Sequence, residues 1–268
     1  MIPWFGKREL NSIKPVEVGE FFGLQADRYH LTTIRKMKIC LNGIFETAID
    51  NELCDKNPAK NIKPYSNLES KPKETYTNEE VVNILRLTDG HEFGVYVRIL
   101  LELGIRNSEI CGLRWDDINF RQKTISINRA CTEVDGKPFI GKTKNKSSTR
   151  VLPMSDELCD RLKLHLNRAT SEYITISPKS RSGLPYTPNK FVDRRYKPFF
   201  EDMRIERVLN PHECRHTFGT LMYEKTHDIH AVSKFMGHSS INITSKLYVH
   251  DNPETLRSAL RIADKTYE

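Results

Sequence analysis

The densest polar chemistry in this chain lies in "NPHECRHTFGTLMYEK", residues 210–225. Asn210 followed by Pro211 reads as a helix start, since proline lacks only an N–H that the first turn leaves unbonded. In that helix His212 and Arg215 are three residues apart, and His212 and His216 four apart, so they share one side. A guanidinium fork, an imidazole and free N–H groups at a helix start together make an anion site. The plain alternative is a helix start with its polar residues in solvent. A metal site built from His212, Cys214 and His216 is set aside. Cys214 points elsewhere, and no third ligand falls at matching spacing.

Three other stretches carry candidates. In "LELGIRNSEICGLRWDDI", Arg106 stands between helix-ending Gly104 and a new helix that Asn107 or Ser108 can cap. Glu109 is placed to brace it, and a surface arginine merely paired with Glu109 is as good a reading of this stretch alone. In "IGKTKNKSSTRVLPM", Lys142, Lys144 and Lys146 share a strand face if the period of two continues, although such charge runs are usually only solvated. In "MGHSSINITSKLYVH", Gly237 ends a helix, His238 sits in the corner, and Ser239 or Ser240 caps the next helix, with Tyr248 ten residues beyond His238. A tyrosine at a helix end is usually packing material. To act as a nucleophile, a phenol of pKa about 10 needs a base or a positive field.

These stretches need elements to position them. "NSIKPVEVGEFF" predicts a short helix and "HLTTIRKMKICLNGIFETAIDNEL" a long one, with Ile34, Met37, Leu41, Ile44, Phe45, Ala48 and Ile49 at helical spacing. Pro58, Pro64 and Pro72, set among lysines and small polar residues, mark a linker. Thr77 and Glu80 form a capping box for the helix "YTNEEVVNILRL". The apolar helix "EFGVYVRILLEL" and the short helix "SEICGLRW" follow. "KTISINRA", "CTEV" and "KPFIG" read as strands with Asp135-Gly136 as the hairpin turn, and "TRVLPM" closes one small sheet. Beyond it the pattern is helical to the end, with cap-and-proline starts at Thr187-Pro188, Asn210-Pro211 and Asn252-Pro253. The expected fold is mainly α with a small antiparallel β-sheet (α+β).

Bulk properties bound the function. The chain has 268 residues, enough for one large domain or a large and a small one. No apolar run approaches the ~20 residues of a membrane span, and the start lacks a secretory apolar stretch, so a soluble, cytoplasmic protein is expected, with no membrane partner. The six cysteines are scattered without a C-x-x-C pair and read as reduced and structural. A net charge of +7 permits nucleic-acid binding without demanding it.

Taken together, these stretches resemble the tyrosine recombinases of the phage integrase family, closely over roughly residues 75–250 and loosely before that. The family's first arginine box matches at Arg106, its histidine-x-x-arginine box at His212 and Arg215, and its Gly-His…Tyr box at His238 and Tyr248, with Met236 in place of a leucine. The resemblance implies a catalytic lysine on a β-hairpin, which by position is Lys142, with Lys144 close beside it. It implies that Tyr248 attacks a DNA phosphodiester to give a 3′-phosphotyrosine and a free 5′-hydroxyl, with no cofactor, metal or ATP. Arg106, Arg215 and His238 would hold the phosphate oxygens, His212 would take the phenol proton, and Lys142 would protonate the leaving oxygen.

The implied partners are double-stranded DNA, further copies of the chain in a tetrameric synapse, and an excisionase or DNA-bending protein. The implied layout is a core-DNA-binding module at 1–66, a linker at 67–75, a catalytic domain at 76–252 and a C-terminal helix at 253–268 docking on a neighbour. Many members carry an arm-binding domain, of which this sequence shows no sign, and a core-binding module of four or more helices. Here there is room for about two before the linker. The expected role is integrase of a mobile element. The alternatives are a Xer-like chromosome-dimer resolvase, a non-cleaving DNA-binding homologue and, more weakly, a type IB topoisomerase.

Overall fold

The computed structural model describes residues 2–69, 73–143, 148–176, 183–238, 240, 242 and 244. The chain divides into two compact units, residues 1–72 and 73–268.

The first unit is helical. A short α1 (Ile2–Phe5) precedes α2 (Pro15–Ala26) and α3 (Leu31–Asp50). Pro15 opens α2, and the Glu17 carboxylate turns back to accept from the Lys14 backbone N–H at 2.9 Å, satisfying a donor at the helix start. Ile34, Leu41, Phe45 and Ala48 of α3 pack into one cluster with Val18, Phe21 and Phe22 of α2. Ile44, expected in that stripe, is 48% exposed, because it falls off the buried face. The short α1 carries no periodic signal in sequence; Phe5 holds it, edge-on to Phe21 at 5.2 Å.

The second unit is built around one helix. It runs α4 (Asn78–Leu87), α5 (Gly94–Leu103), α6 (Asn107–Gly112), β1 (Ile118–Asn119), β2 (Thr124–Ile127), β3 (Arg129–Val134), β4 (Lys137–Lys142), β5 (Arg150–Pro153) and α7 (Asp156–Leu166). Then come α8 (Pro188–Phe191), a π-helical turn over Val192–Tyr196, α9 (Lys197–Asp202), α10 (Pro211–Thr226) and α11 (Ile229–Met236). Every residue of α5 except Glu102 is buried, as expected of a helix apolar nearly all round. Each fully buried leucine or isoleucine there contributes about 1.5–3 kcal/mol. The one charge on its buried surface, Arg98, is neutralised by Asp89, Glu102 and Glu157.

Three sequence expectations differ from the structure. The strands form two sheets rather than one: β5 pairs antiparallel with β2, and β2 with β1, while β3 and β4 pair only with each other. Asn128 falls between β2 and β3, so "KTISINRA" is split between the two sheets. Secondly, the chain is not helical throughout after β5. Between α7 and α8 the described residues hold two isolated bridges, Arg114 with Tyr173 and Ile176 with Pro185. Thirdly, the cap of α6 is Arg106 itself, whose backbone N–H donates to Glu109 Oε2 at 2.8 Å, while Asn107 reaches away to the Pro188 carbonyl. The Asp135-Gly136 turn forms as expected, both residues having positive φ, 50° and 72°. The start at Asn252-Pro253 and the helix expected at 253–268 lie outside the described residues.

Candidate active site

The site begins at the start of α10. The Asn210 side chain accepts from the N–H groups of His212 and Glu213, and the Glu213 carboxylate accepts from the Asn210 N–H at 2.8 Å. The preceding turn is locked from below. The Tyr196 hydroxyl donates to the Leu209 carbonyl and touches the Cys214 sulfur, and the Tyr76 hydroxyl accepts from the Leu209 N–H. With its start fixed, α10 sends Arg215 inward and leaves His212 exposed.

Arg215 is 2% exposed. One of its terminal nitrogens donates to the Gly104 carbonyl at 2.8 Å and the other to the Met236 carbonyl. The residue therefore ties the end of α5 to the end of α11. Both ends turn on a glycine in the left-handed region, Gly104 at φ 57° and Gly237 at φ 59°. At Gly104 the need is steric as well, since a Cβ would lie 2.3 Å from the Phe218 ring.

The end of α11 organises the cluster. Its last carbonyls lack intrahelical partners and carry the negative end of the helix dipole. Three successive ones each accept from a different arginine: Phe235 from Arg150 Nε at 2.7 Å, Met236 from Arg215, and Gly237 from Arg106 at 3.4 Å. Arg106 also donates to Glu109 Oε1 at 2.8 Å, and its side chain remains 35% exposed, within reach of a ligand. Glu109 is 2% exposed and is shared, because Arg150 forks onto both of its oxygens at 3.1 and 2.9 Å. Burial pushes the Glu109 carboxyl up, but hydrogen bonds and charge from Arg150 and Arg106 outweigh it and hold the group below its usual range.

His238 follows directly on this helix end. Its N–H donates to the Ser233 carbonyl, and its Nδ1 lies 2.9 Å from the hydroxyl of buried Thr244. Burial, then the positive charges of Arg215, Arg106 and Arg150, push its pKa down to about 4. His212 and His216 meet edge to face at 4.8 Å, and Lys73 Nζ approaches His216 Nε2 at 2.8 Å. Burial and Lys73 push His216 down to about 4, and the same two causes lower His212. In all three rings burial first, and the neighbouring cations second, favour the neutral form.

Lys142 ends β4 opposite Arg129. It shares a cleft of about 530 Å³ with Arg106, Ser108 and Thr132, between the start of α6 and the β3–β4 hairpin. The structure thus brings Arg106, Arg215 and His238 onto one helix end, sets His212 on the helix that carries Arg215, and opens the cleft between Arg106 and Lys142. Tyr248 and Lys144 lie outside the described residues. Among the described residues, no group of three or more His, Cys, Asp or Glu side chains is placed to hold a metal. Sequence reasoning missed Arg150 and Lys73. For Arg150 there was a signal: it shares strand parity with buried Leu152, so it is a charge on an inward-facing position.

The sequence matches the phage integrase family over residues 75–255, most of the second unit, and the chain belongs to that family. This is the class of the tyrosine recombinases. Among relatives, the tyrosine recombinase XerC-like protein of Caldanaerobacter subterraneus subsp. tengcongensis is 27% identical over 94% of this chain and 71% of its own length. The transposase from transposon Tn916 of Enterococcus faecalis is 26% identical over 97% of this chain and 69% of its own. In fold, the chain is similar to the Tn1549 transposon integrase in complex with a circular intermediate DNA, with a TM-score of 0.79 at 21% identity, covering 95% of this chain and 86% of that one.

Proposed function

We propose that this protein is the site-specific integrase of a mobile element, cutting and rejoining double-stranded DNA through a 3′-phosphotyrosine on Tyr248. The observation that carries the reading is the arginine-capped end of α11, with His238 directly after it and Tyr248 ten residues further on. Breaking a phosphodiester demands that a nucleophile lose a proton, that the pentacoordinate phosphorane be stabilised, and that the 5′-oxygen gain a proton.

Each demand has a candidate. Arg106 and Arg215 are charged at every relevant pH, and a guanidinium's planar fork matches the non-bridging oxygens of a phosphate. When the Thr244 hydroxyl donates to His238 Nδ1, Nε2 carries the proton and is a third donor to a phosphate oxygen. His212, whose neutral form burial and Lys73 favour, accepts the Tyr248 proton. Lys142, on the hairpin across the cleft from Arg106, protonates the leaving 5′-oxygen. The new phosphotyrosine bond conserves the energy of the broken one, so rejoining to another 5′-hydroxyl needs no ATP and no metal.

Residues 1–66 would help hold the duplex, and residues 253–268 would dock on a neighbouring copy in a tetrameric synapse. An excisionase or a DNA-bending protein would set direction. The XerC-like relative keeps a second reading in view, a chromosome-dimer resolvase, which differs in target site rather than in chemistry.

The test is covalent trapping. Nicked duplexes carrying the element's end sequences are incubated with the protein in EDTA and run on a denaturing gel. The expected result is a protein–DNA band that Tyr248→Phe abolishes while duplex binding persists. No adduct on a duplex that the protein binds would sink the strand-transfer reading, and an adduct surviving Tyr248→Phe would mean another nucleophile.

A further inference from the structure

We infer that Arg150, on the strand leaving the hairpin, is a positioning residue for the phosphate pocket, acting by holding back the Glu109 carboxylate from Arg106 and by pinning the end of α11. The inference rests on the recombinase reading given above.

Charge balance is the first reason. Arg106 is the exposed arginine of the cluster, and it sits against a carboxylate that is almost wholly buried. Paired one to one, Glu109 would cancel the charge of Arg106 just where an anionic substrate must be attracted. Arg150 alters that balance by forking onto both Glu109 oxygens, so that two guanidiniums share one carboxylate and the triad keeps a net positive charge. The Arg150 side chain is itself 7% exposed, too enclosed to serve as an ordinary surface contact to DNA.

Geometry is the second reason. Arg150 Nε donates to the Phe235 carbonyl, one residue before the carbonyl held by Arg215 and two before the one held by Arg106. Its terminal nitrogen also donates to the Ser148 carbonyl. One planar group therefore joins three pieces: the chain just after the Lys142 hairpin, the start of α6, and the helix end that leads to His238. A lysine at this position could supply the charge but not the fork and the Nε contact together. Among the described residues, the charged and titratable groups acting on His238 include Arg215, Arg106, Arg150, His212 and His216, so removing Arg150 removes a cation whose effect the His238 ring reports.

The experiment compares Arg150→Met, Glu109→Gln and the double variant in single-turnover trapping, with the His238 ring titrated by NMR in the DNA-free protein. Arg150→Met is expected to slow adduct formation on the order of 10- to 100-fold, the usual cost of losing a partner that orients a reacting group. The double variant is expected to cleave faster than Arg150→Met, because neutralising Glu109 frees Arg106. In Arg150→Met the His238 titration moves up towards 6.5. If the double variant is as slow as Arg150→Met or slower, or if His238 titrates as in the wild type, the inference is overturned. Should Arg150→Met fail to fold, Arg150→Lys carries the test: slowed cleavage with His238 close to wild type supports the fork, and wild-type cleavage refutes it. A wild-type protein that binds the duplex but forms no adduct sinks the recombinase reading instead, while the His238 titration still decides whether Arg150 acts on the cluster.

Discussion

Replacing Arg215 with alanine tests whether one buried side chain both braces the fold and serves the chemistry. Its terminal nitrogens hold the carbonyls of Gly104 and Met236, which end α5 and α11. A hydrogen bond to a charged donor contributes about 1.5–3 kcal/mol, so losing two puts the cost at about 3 kcal/mol or somewhat more. For a unit of this size each kcal/mol lowers Tm by about 2–4 °C, so Arg215→Ala should melt about 6–12 °C below wild type. On the chemical side, losing one donor to the developing phosphorane charge costs on the order of 10²–10³ in rate. Arg215→Lys keeps the charge but cannot span both carbonyls, and should fall between the two in both respects. Circular-dichroism melting and single-turnover trapping at a temperature where each variant is folded measure the two effects separately. An Arg215→Ala protein that melts within 2 °C of wild type would refute the bracing argument, and one that traps DNA at the wild-type rate would refute the chemical one.

Other perturbations follow from the same geometry. His216 and His238 have native pKa values depressed to about 4 from an unfolded value of 6.5. Above about pH 6.5 neither affects stability; as pH falls from 6.5 towards 4 the unfolded chain takes up protons that the native state refuses, so stability falls. Urea titrations across that range should show the loss, and His238→Gln should remove the His238 share and leave that of His216. Gly104→Ala forces a left-handed conformation and a clash with Phe218, and should cost at least about 1–2 kcal/mol, read as a lower midpoint in denaturant. Lys142→Ala should cleave an ordinary duplex slowly but recover on a substrate whose scissile 5′-oxygen is replaced by sulfur, a leaving group that needs no proton. If Lys144→Ala shows that recovery and Lys142→Ala does not, Lys144 is the acid.

Much of the fold was legible because its signals are local. The Thr77–Glu80 box and the Asn210 cap of α10 satisfy backbone groups within three residues, the Asp135-Gly136 turn needs two adjacent residues at positive φ, and α8 opens on Pro188. Sheet pairing was less legible. The strand patterns do not say which edge meets which, and β5 takes β2 as partner rather than the hairpin because Leu152 completes the core beside Ile125. The alternatives for Arg106 also turned out not to exclude each other. It is paired with Glu109, as an ordinary surface arginine would be, yet Arg150 takes half of that carboxylate.

By itself, the sequence determined the inventory and its order, arginines, histidines, a hairpin lysine and a tyrosine, with Arg106, His212 and Arg215 set at or just after helix starts that local hydrogen bonds fix. Only the tertiary structure decided that Arg106, Arg150 and Arg215, from three distant segments, converge on consecutive carbonyls of one helix end. That convergence rests on long-range packing of α5 and of α11 against α10, which lets Arg215 bridge the two glycine-ended helices. No periodicity or local motif encodes it, because the partners of each arginine are backbone carbonyls, which every residue possesses.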